Sequence, residues 1–289
     1  MQEFELDKAR VRRAFDTASR TYDSHAQLQG MVREEMLERL AWMRLRPSLV
    51  LDLGCGTGRA LGVLRERYRQ ARIVGMDLSS GMLSEAAEHR PWLRKPMLVC
   101  GDMERMPLPG ASVDLLFSSL ALQWSCAPER VFSEVRRVLK PDGLFMFSTL
   151  GPGSLQELRD AWSVADPAHS HVNMFFDMHD LGDALLRAGL RDPVMDVDRL
   201  SFGFEDVGTI MRGLKGIGAR NGMEGRARGL TGKGRLARMR EAYEALRDEG
   251  GALPVSYEVI HGMAWGGESG RYRVDARGEV RIPLSSLKR

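Results

Sequence analysis

The chain has 289 residues, 43% hydrophobic and 28% charged, so it can build one large globular domain or two small ones around a sizeable core. No run of about 18 apolar residues occurs, and Met1 to Arg13 mixes acids and bases, so neither a membrane span nor a signal peptide is expected. Net charge is only +3, and three widely spaced cysteines (Cys55, Cys100, Cys126) form no disulfide framework and no C-x-x-C metal pair; a cytoplasmic protein without a metal is the expectation.

Residues 8–45 read as helices, because Leu28, Met31, Val32, Met36, Leu37 and Leu40 recur at three- and four-residue steps. Residues 49–53 read as a buried strand running straight into Gly54-Cys55-Gly56-Thr57-Gly58, with a helical pattern over Arg59 to Tyr68. A second strand over 72–77 ends in Asp77, and Gly81 to Glu88 are helical. A third strand over 97–101 is followed by Asp102, and a fourth covers 113–117. Pro128 to Leu139 predict a helix with proline in its first turn. Lys140-Pro141-Asp142-Gly143 predict a turn before a fifth strand over 144–149. Such alternation means βαβ units and a parallel sheet, whose right-handed crossovers bring the strand ends to one ligand-binding edge.

The second half is less regular. Ser154-Leu155-Gln156-Glu157 has the pattern of a capping box, opening a helix through about Trp162. A helix is expected over 179–188, a strand over 193–204, and helices over 206–217 and 233–247 joined by a glycine-rich basic connector. A strand over 255–265 is expected to pair with part of 193–204, and the tail from Gly266 reads as loop ending in a short strand. Arg212 to Arg240 hold nine basic residues against the single acid Glu224, a local charge of +8 that points to an anionic partner. The segment has no Phe, Tyr or Trp, so it lacks a platform for stacking bases, and nucleic acid is not the expected partner.

Three glycines at alternate positions let backbone approach a ligand with no Cβ between them. Their G-x-G-x-G spacing, with Asp52 two positions ahead, resembles motif I of the S-adenosylmethionine (SAM) dependent methyltransferases of the Rossmann-like class. Asp77, 19 residues after Gly58, is suited to accept both ribose hydroxyls. Asp102 can accept the adenine amino group while the Met103 backbone faces the ring. The expected SAM-side set is Asp52, Gly54, Gly56, Gly58, Asp77, Leu78, Asp102, Met103 and Ser118.

A narrower resemblance is carried by Arg13–Asp16 with Thr21–Asp23, Ala121–Trp124, Phe147–Leu155, His171–Asn173, Asp177–Asp180, Leu214–Asn221 and Arg228–Gly232. These segments resemble the malonyl-acyl-carrier-protein O-methyltransferases of biotin synthesis, from about residue 10 to Trp265. The resemblance implies an α/β fold: a Rossmann-like doubly wound, mostly parallel sheet with an N-terminal helical lid and a helical insertion near the C-terminal half. The expected layout is one domain over 1–289, with a lid (1–46), a SAM-binding core (47–150), and substrate-side helices with C-terminal strands (151–289). The implied reaction moves a methyl group from SAM to the free carboxylate of a malonyl thioester, hiding a charge that fatty-acid elongation enzymes would refuse. Arg159 is the first candidate for a fork holding that carboxylate and Lys215 the second. Tyr22 is expected to close over SAM, with Gln123, Trp124, Asn173 and His179 lining the acyl pocket. The expected partner is acidic acyl carrier protein, docking on 212–240. His169-Ser170-His171 lacks the carboxylate or cysteine set of a metal site. A SAM-dependent C-methyltransferase of a quinone or small lipid, and a SAM-binding assembly factor, would share the fold and the SAM residues.

Overall fold

The computed structural model describes residues 5–90, 95–223, 229, 231–267, 273–274 and 280–281. Leu49–Leu53 forms β1, buried at all five positions. A strand without an exposed residue suits a parallel sheet covered on both faces. β1 pairs in parallel with β2 (Arg72–Asp77) and with β4 (Val113–Ser118); β3 (Met97–Cys100) extends the sheet past β2, and β5 (Leu139–Leu150) past β4. The full order is β3-β2-β1-β4-β5-β7-β6. β7 (Leu253–Trp265) lies antiparallel to both β5 and β6 (Arg191–Phe204). The expected doubly wound, mostly parallel α/β sheet is present, and its order reverses between β1 and β4, where a crevice opens at the carboxyl ends of the strands.

Helices α1 (Lys8–His25) and α2 (Gln27–Ala41) precede the sheet; α3 (Arg59–Arg67), α4 (Ser80–Glu88) and α5 (Pro128–Val138) connect its parallel strands. One apolar layer gathers Phe132 of α5 with Phe145 and Phe147 of β5; the opposite layer gathers Met36 and Leu40 of α2 with Leu64 and Phe117. The remaining helices are α6 (Gln156–Ala165), α7 (Met178–Arg187), α8 (Val207–Gly216) and α9 (Lys233–Glu244). A third apolar cluster joins Leu158 and Trp162 of α6, Ile210 of α8, and Met239 and Tyr243 of α9 to Val255 of β7. It forms where β6 ends and β7 begins, and the Tyr243 hydroxyl pins it by donating to the Pro254 carbonyl at 2.8 Å.

Two expectations change. The capping box does not form. β5 stops at Leu150 opposite Val259, so the next backbone groups of β7 need partners. Buried Ser154 takes them: its hydroxyl donates to the Glu258 carbonyl and accepts from the Glu258 N–H, both at 3.0 Å. Glu157 likewise accepts the Ser256 N–H at 3.1 Å, while Leu155 ahead of α6 adopts φ +56°. Satisfying a buried strand outweighs a local cap whose alternative partner is water. Residues 140–143 are not a free turn but a bulge within β5, with Leu139 opposite Val113 and Leu144 opposite Leu115. β6 and β7 pair over nearly their whole length. In the tail, β8 (Arg273–Val274) pairs with β9 (Val280–Arg281). Glu224, Arg226 and Arg228 of the basic connector lie outside the described residues.

Candidate active site

The turn after β1 uses left-handed backbone, which glycine adopts without penalty. Gly54 has φ +74°, and a Cβ there would sit 2.3 Å from the Ala121 Cβ. Gly56 has φ +52°, and the space its Cβ would enter is open for 4 Å. That opening is one wall of a cavity of about 770 Å³ at the ends of β1, β2, β3 and β4. Asp77 fixes the wall: its Oδ2 accepts the Gly56 N–H at 2.9 Å and its Oδ1 the Ser79 N–H at 2.8 Å. Burial lifts the Asp77 pKa above the ordinary carboxylate range, and these N–H groups oppose the shift. Asp77, Leu78, Asp102 and Met103 all line the cavity with Gly54 and Gly56.

Helix α1 roofs this cavity with Val11, Phe15 and Tyr22, and three polar latches hold it down. Lys8 Nζ lies 2.8 Å from Asp102 Oδ2 and 2.7 Å from Glu104 Oε2. Asp16 Oδ1 accepts from the Ser79 hydroxyl at 2.7 Å and from the Gly81 N–H at 2.9 Å. Asp23 accepts from the Thr57 hydroxyl and from Arg59 Nε, each at 2.8 Å. Burial alone would raise Asp23, but its bonds to Arg59 and Thr57 hold it below the ordinary carboxylate range. The latches grip three different strand-end loops, so α1 closes the crevice as a lid. Lys8 lies ahead of the segments that carried the family resemblance; Asp16 and Asp23 sit within them, but their role needed the loops they reach.

A second cavity, about 1850 Å³ and open to solvent, adjoins the first, and both are lined by Phe15, Tyr22, Leu120 and Trp124. Phe15 meets Trp124 edge-on, with ring centroids 4.9 Å apart. Leu120 holds φ +47°, a strained value for a branched residue, fixed by its N–H to the Ser148 hydroxyl at 3.0 Å. Burial first, then the charges of Asp77 and Asp23, push the Tyr22 phenol up, so it stays protonated as a hydrogen-bond donor. Among the described residues, five cations line this second cavity, Arg10, Arg212, Lys215, Arg220 and Arg240, and no Asp or Glu does. Arg10 Nε donates to the Asn221 carbonyl at 3.1 Å and Arg212 to the Thr209 hydroxyl at 2.8 Å. The side chains of Lys215, Arg220 and Arg240 have no ion pair or hydrogen bond among the described residues.

The remaining expected residues divide. Gln123, Trp124 and Asn173 line the second cavity; Gln123 Nε2 donates to the Leu120 carbonyl at 2.7 Å, and Asn173 Oδ1 accepts the Gly222 N–H at 3.0 Å. Lys215 lies in the lining and Arg159 does not. The Arg159 guanidinium donates instead to the carbonyls of Pro152 at 3.1 Å, Ser154 at 3.2 Å and Asn173 at 3.4 Å. His179 is also outside, exposed at the start of α7 with Nδ1 2.7 Å from Asp177. Ser118 is buried and donates to the Leu53 carbonyl at 2.8 Å; its neighbour Ser119 reaches the cavity. Gly58 precedes α3 and packs on Ala86, away from the lining. Asp52 lies behind the turn with Oδ2 unpartnered; burial, then the charge of Asp77, push its pKa up to about 7.

The basic segment is not one outward face. Arg235 turns to Asp166 at 3.2 Å and Arg238 to the Ala165 carbonyl at 3.0 Å, whereas Arg212, Lys215, Arg220 and Arg240 face the cavity. His171 stacks on Trp162 at 3.8 Å and shares the Asp166 carboxylate with His169. Elsewhere, Glu35, Asp198 and His261 offer ligand atoms within 4.8 Å of one another, and Arg39 pairs with both of their carboxylates.

A glycine turn, a carboxylate ending β2, a second after β3 and a closing lid define a Rossmann-like SAM-dependent methyltransferase, and a family described as "Methyltransferase domain" matches residues 51–147. Solved structures share the fold. Phosphoethanolamine N-methyltransferase 2 of Haemonchus contortus, in complex with SAM, is 17% identical with a TM-score of 0.56, over 88% of this chain and 57% of that one. The YcgJ protein of Bacillus subtilis is 18% identical with a TM-score of 0.54, over 82% and 100%. The chain belongs to the malonyl-[acyl-carrier protein] O-methyltransferase family. A relative of that name in Methylovorus sp. (strain MP688) is 50% identical over 266 residues, 90% of this chain and 89% of its own. Another, malonyl-[acyl-carrier protein] O-methyltransferase 1 of Coxiella burnetii, is 40% identical over 287 residues, 99% and 98% of the two chains.

Proposed function

We propose that this protein transfers the methyl group of SAM to the free carboxylate of a malonyl group carried on acyl carrier protein. The observation that carries this reading is the second cavity: it adjoins the SAM cavity at Tyr22 and Trp124 and, among the described residues, is lined by five cations and no acid. A carboxylate is ionised at pH 7, so no base has to deprotonate it. One carboxylate oxygen bonds to the methyl carbon as the carbon–sulfur bond breaks, and that electron pair stays on sulfur. The products are a methyl ester and a neutral thioether. Alignment of oxygen, carbon and sulfur contributes on the order of 7–11 kcal/mol to such a step. Lys215 is the cation we assign to the carboxylate, with Tyr22, Gln123 and Asn173 shaping the acyl end.

A quinone C-methyltransferase would want an apolar acceptor pocket, and five cations would be a cost there. The test is to incubate the protein with methyl-labelled SAM and malonyl-carrier protein. Methyl ester on the malonyl group is expected; label on a quinone and none on malonyl would overturn the reading. The exposed cations at the cavity rim support carrier docking, which salt screens. Raising salt should slow the carrier-bound substrate more than a small malonyl thioester, and equal sensitivity would remove docking from the account.

A further inference from the structure

The five cations of the second cavity exceed what one carboxylate needs. Arg212 has an acid partner, Asp206 at 3.9 Å, and Arg10 bonds to the Asn221 carbonyl; the side chains of Lys215, Arg220 and Arg240 have no partner among the described residues, more charge than one monovalent carboxylate matches. Their packing sorts them into two ends. The last turn of α8 and the loop after it lie on α1: the Thr21 hydroxyl donates to the Gly216 carbonyl at 3.0 Å, and a Cβ on Gly218 would sit 3.2 Å from the Phe15 ring. Lys215 and Arg220 therefore belong to the end beside Phe15 and Tyr22, where the two cavities join. Arg240 stands on α9, which packs on α6 and adds nothing to the SAM cavity; Arg212, only one turn ahead of Lys215 on α8, is turned to Thr209 and Asp206 and belongs to neither end. The rest of the lining includes apolar and amide side chains, Leu155, Leu158 and Met211 with Gln123 and Asn173. Such a lining suits a flexible chain that carries amide groups.

We propose that Arg240 is a phosphate site that reads the far end of a phosphopantetheine thioester, while Lys215 and Arg220 hold its terminal carboxylate. The inference rests on the malonyl thioester reading above. A guanidinium suits phosphate because its donors match two oxygens at once. The same phosphate is present on a carrier protein and on coenzyme A, so the site selects the arm, and a carrier protein adds its own surface.

The experiment compares methyl transfer to malonyl-pantetheine, which lacks the phosphate, with transfer to malonyl-4′-phosphopantetheine, malonyl-coenzyme A and malonyl-carrier protein. The wild-type protein should favour the phosphorylated arm over the bare one by at least tenfold in kcat/KM. In Arg240→Gln that advantage should shrink below about threefold, with coenzyme A and carrier substrates losing alike; a charge-assisted bond is worth roughly a tenfold effect or more. Lys215→Gln should instead lower all four substrates by a similar factor, because all carry the carboxylate. SAM affinity, read by calorimetry, reports that each variant is folded. Equal use of the two pantetheine thioesters by the wild type would overturn the phosphate site while leaving the malonyl reading intact. Loss confined to the carrier-linked substrate in Arg240→Gln would also overturn it, assigning Arg240 to the carrier surface. Methyl transfer to none of the four would overturn the malonyl reading itself and this inference with it.

Discussion

The two cavities meet at four residues and are built on opposite terms. The SAM side takes its groups from buried strand ends, and its polar groups are already spoken for: Asp77 by two N–H groups, Asp102 and Glu104 by Lys8. The acyl side takes its groups from α1, α8 and α9, and three of its cations have no partner among the described residues. The difference follows from the reactants we assign. A cationic sulfonium suits a rigid site bearing carboxylates; an anionic acceptor on a long arm suits a wider one bearing cations. Where they meet, Phe15, Tyr22, Leu120 and Trp124 form a largely apolar wall, and opposite charges attract more strongly beside such a wall than in open solvent.

The contrast can be broken from either side. The largest effect is expected from Asp77→Ala, which removes both the ribose acceptor we assign and the pin on the Gly56 and Ser79 N–H groups. SAM affinity by calorimetry should fall between tenfold and a hundredfold; unchanged affinity would remove Asp77 from the site. Next comes the lid. Asp16→Ala cuts the latch to Ser79 and Gly81 without touching the cavity lining, so SAM should dissociate about fivefold faster in stopped-flow measurements, a loss of about 1 kcal/mol. An unaltered off-rate would mean that the other two latches suffice.

On the acyl side, Arg159→Gln sharpens the distinction between a cation in the cavity and one beside it. Its three carbonyl contacts make Arg159 a positioning residue for the Pro152–Ser154 turn and for Asn173. We expect KM for the malonyl substrate to rise about threefold, kcat and SAM affinity to hold, and Arg159→Lys to restore only part of the loss. A fall in kcat with unchanged KM would return Arg159 to the reacting carboxylate. The smallest effect concerns Asp52. A carboxyl whose pKa is raised on folding favours the native state at low pH and loses that contribution as pH rises through about 7. Asp52→Asn should therefore raise the melting temperature of the ligand-free protein at pH 8 and leave it nearly unchanged at pH 4. The gain should be roughly 2–4 °C for each kcal/mol of relief. SAM affinity should fall slightly, since a negative charge behind the turn is lost. A variant no more stable at pH 8 would show that Asp52 is not strained by its burial.

The amino-acid sequence alone determined the sheet and most of the SAM side. Continuous apolar runs specify buried strands, glycines at alternate positions specify left-handed turns, and chain order brings Asp77 and Asp102 to neighbouring strand ends. Those are local signals, readable within a few residues. Tertiary structure alone decided the acyl side. Ser154 and Glu157 look like a cap until the unpaired backbone of β7 claims them. Arg159 stands ahead of Lys215 as the fork candidate until the packing of α6 and α8 turns the first toward carbonyls and the second into the cavity. Lys8 and Asp16 become latches only beside loops 94 and 63 positions away. Where a charged side chain on a helix points depends on which distant element packs against that helix, and no short stretch of sequence carries that information.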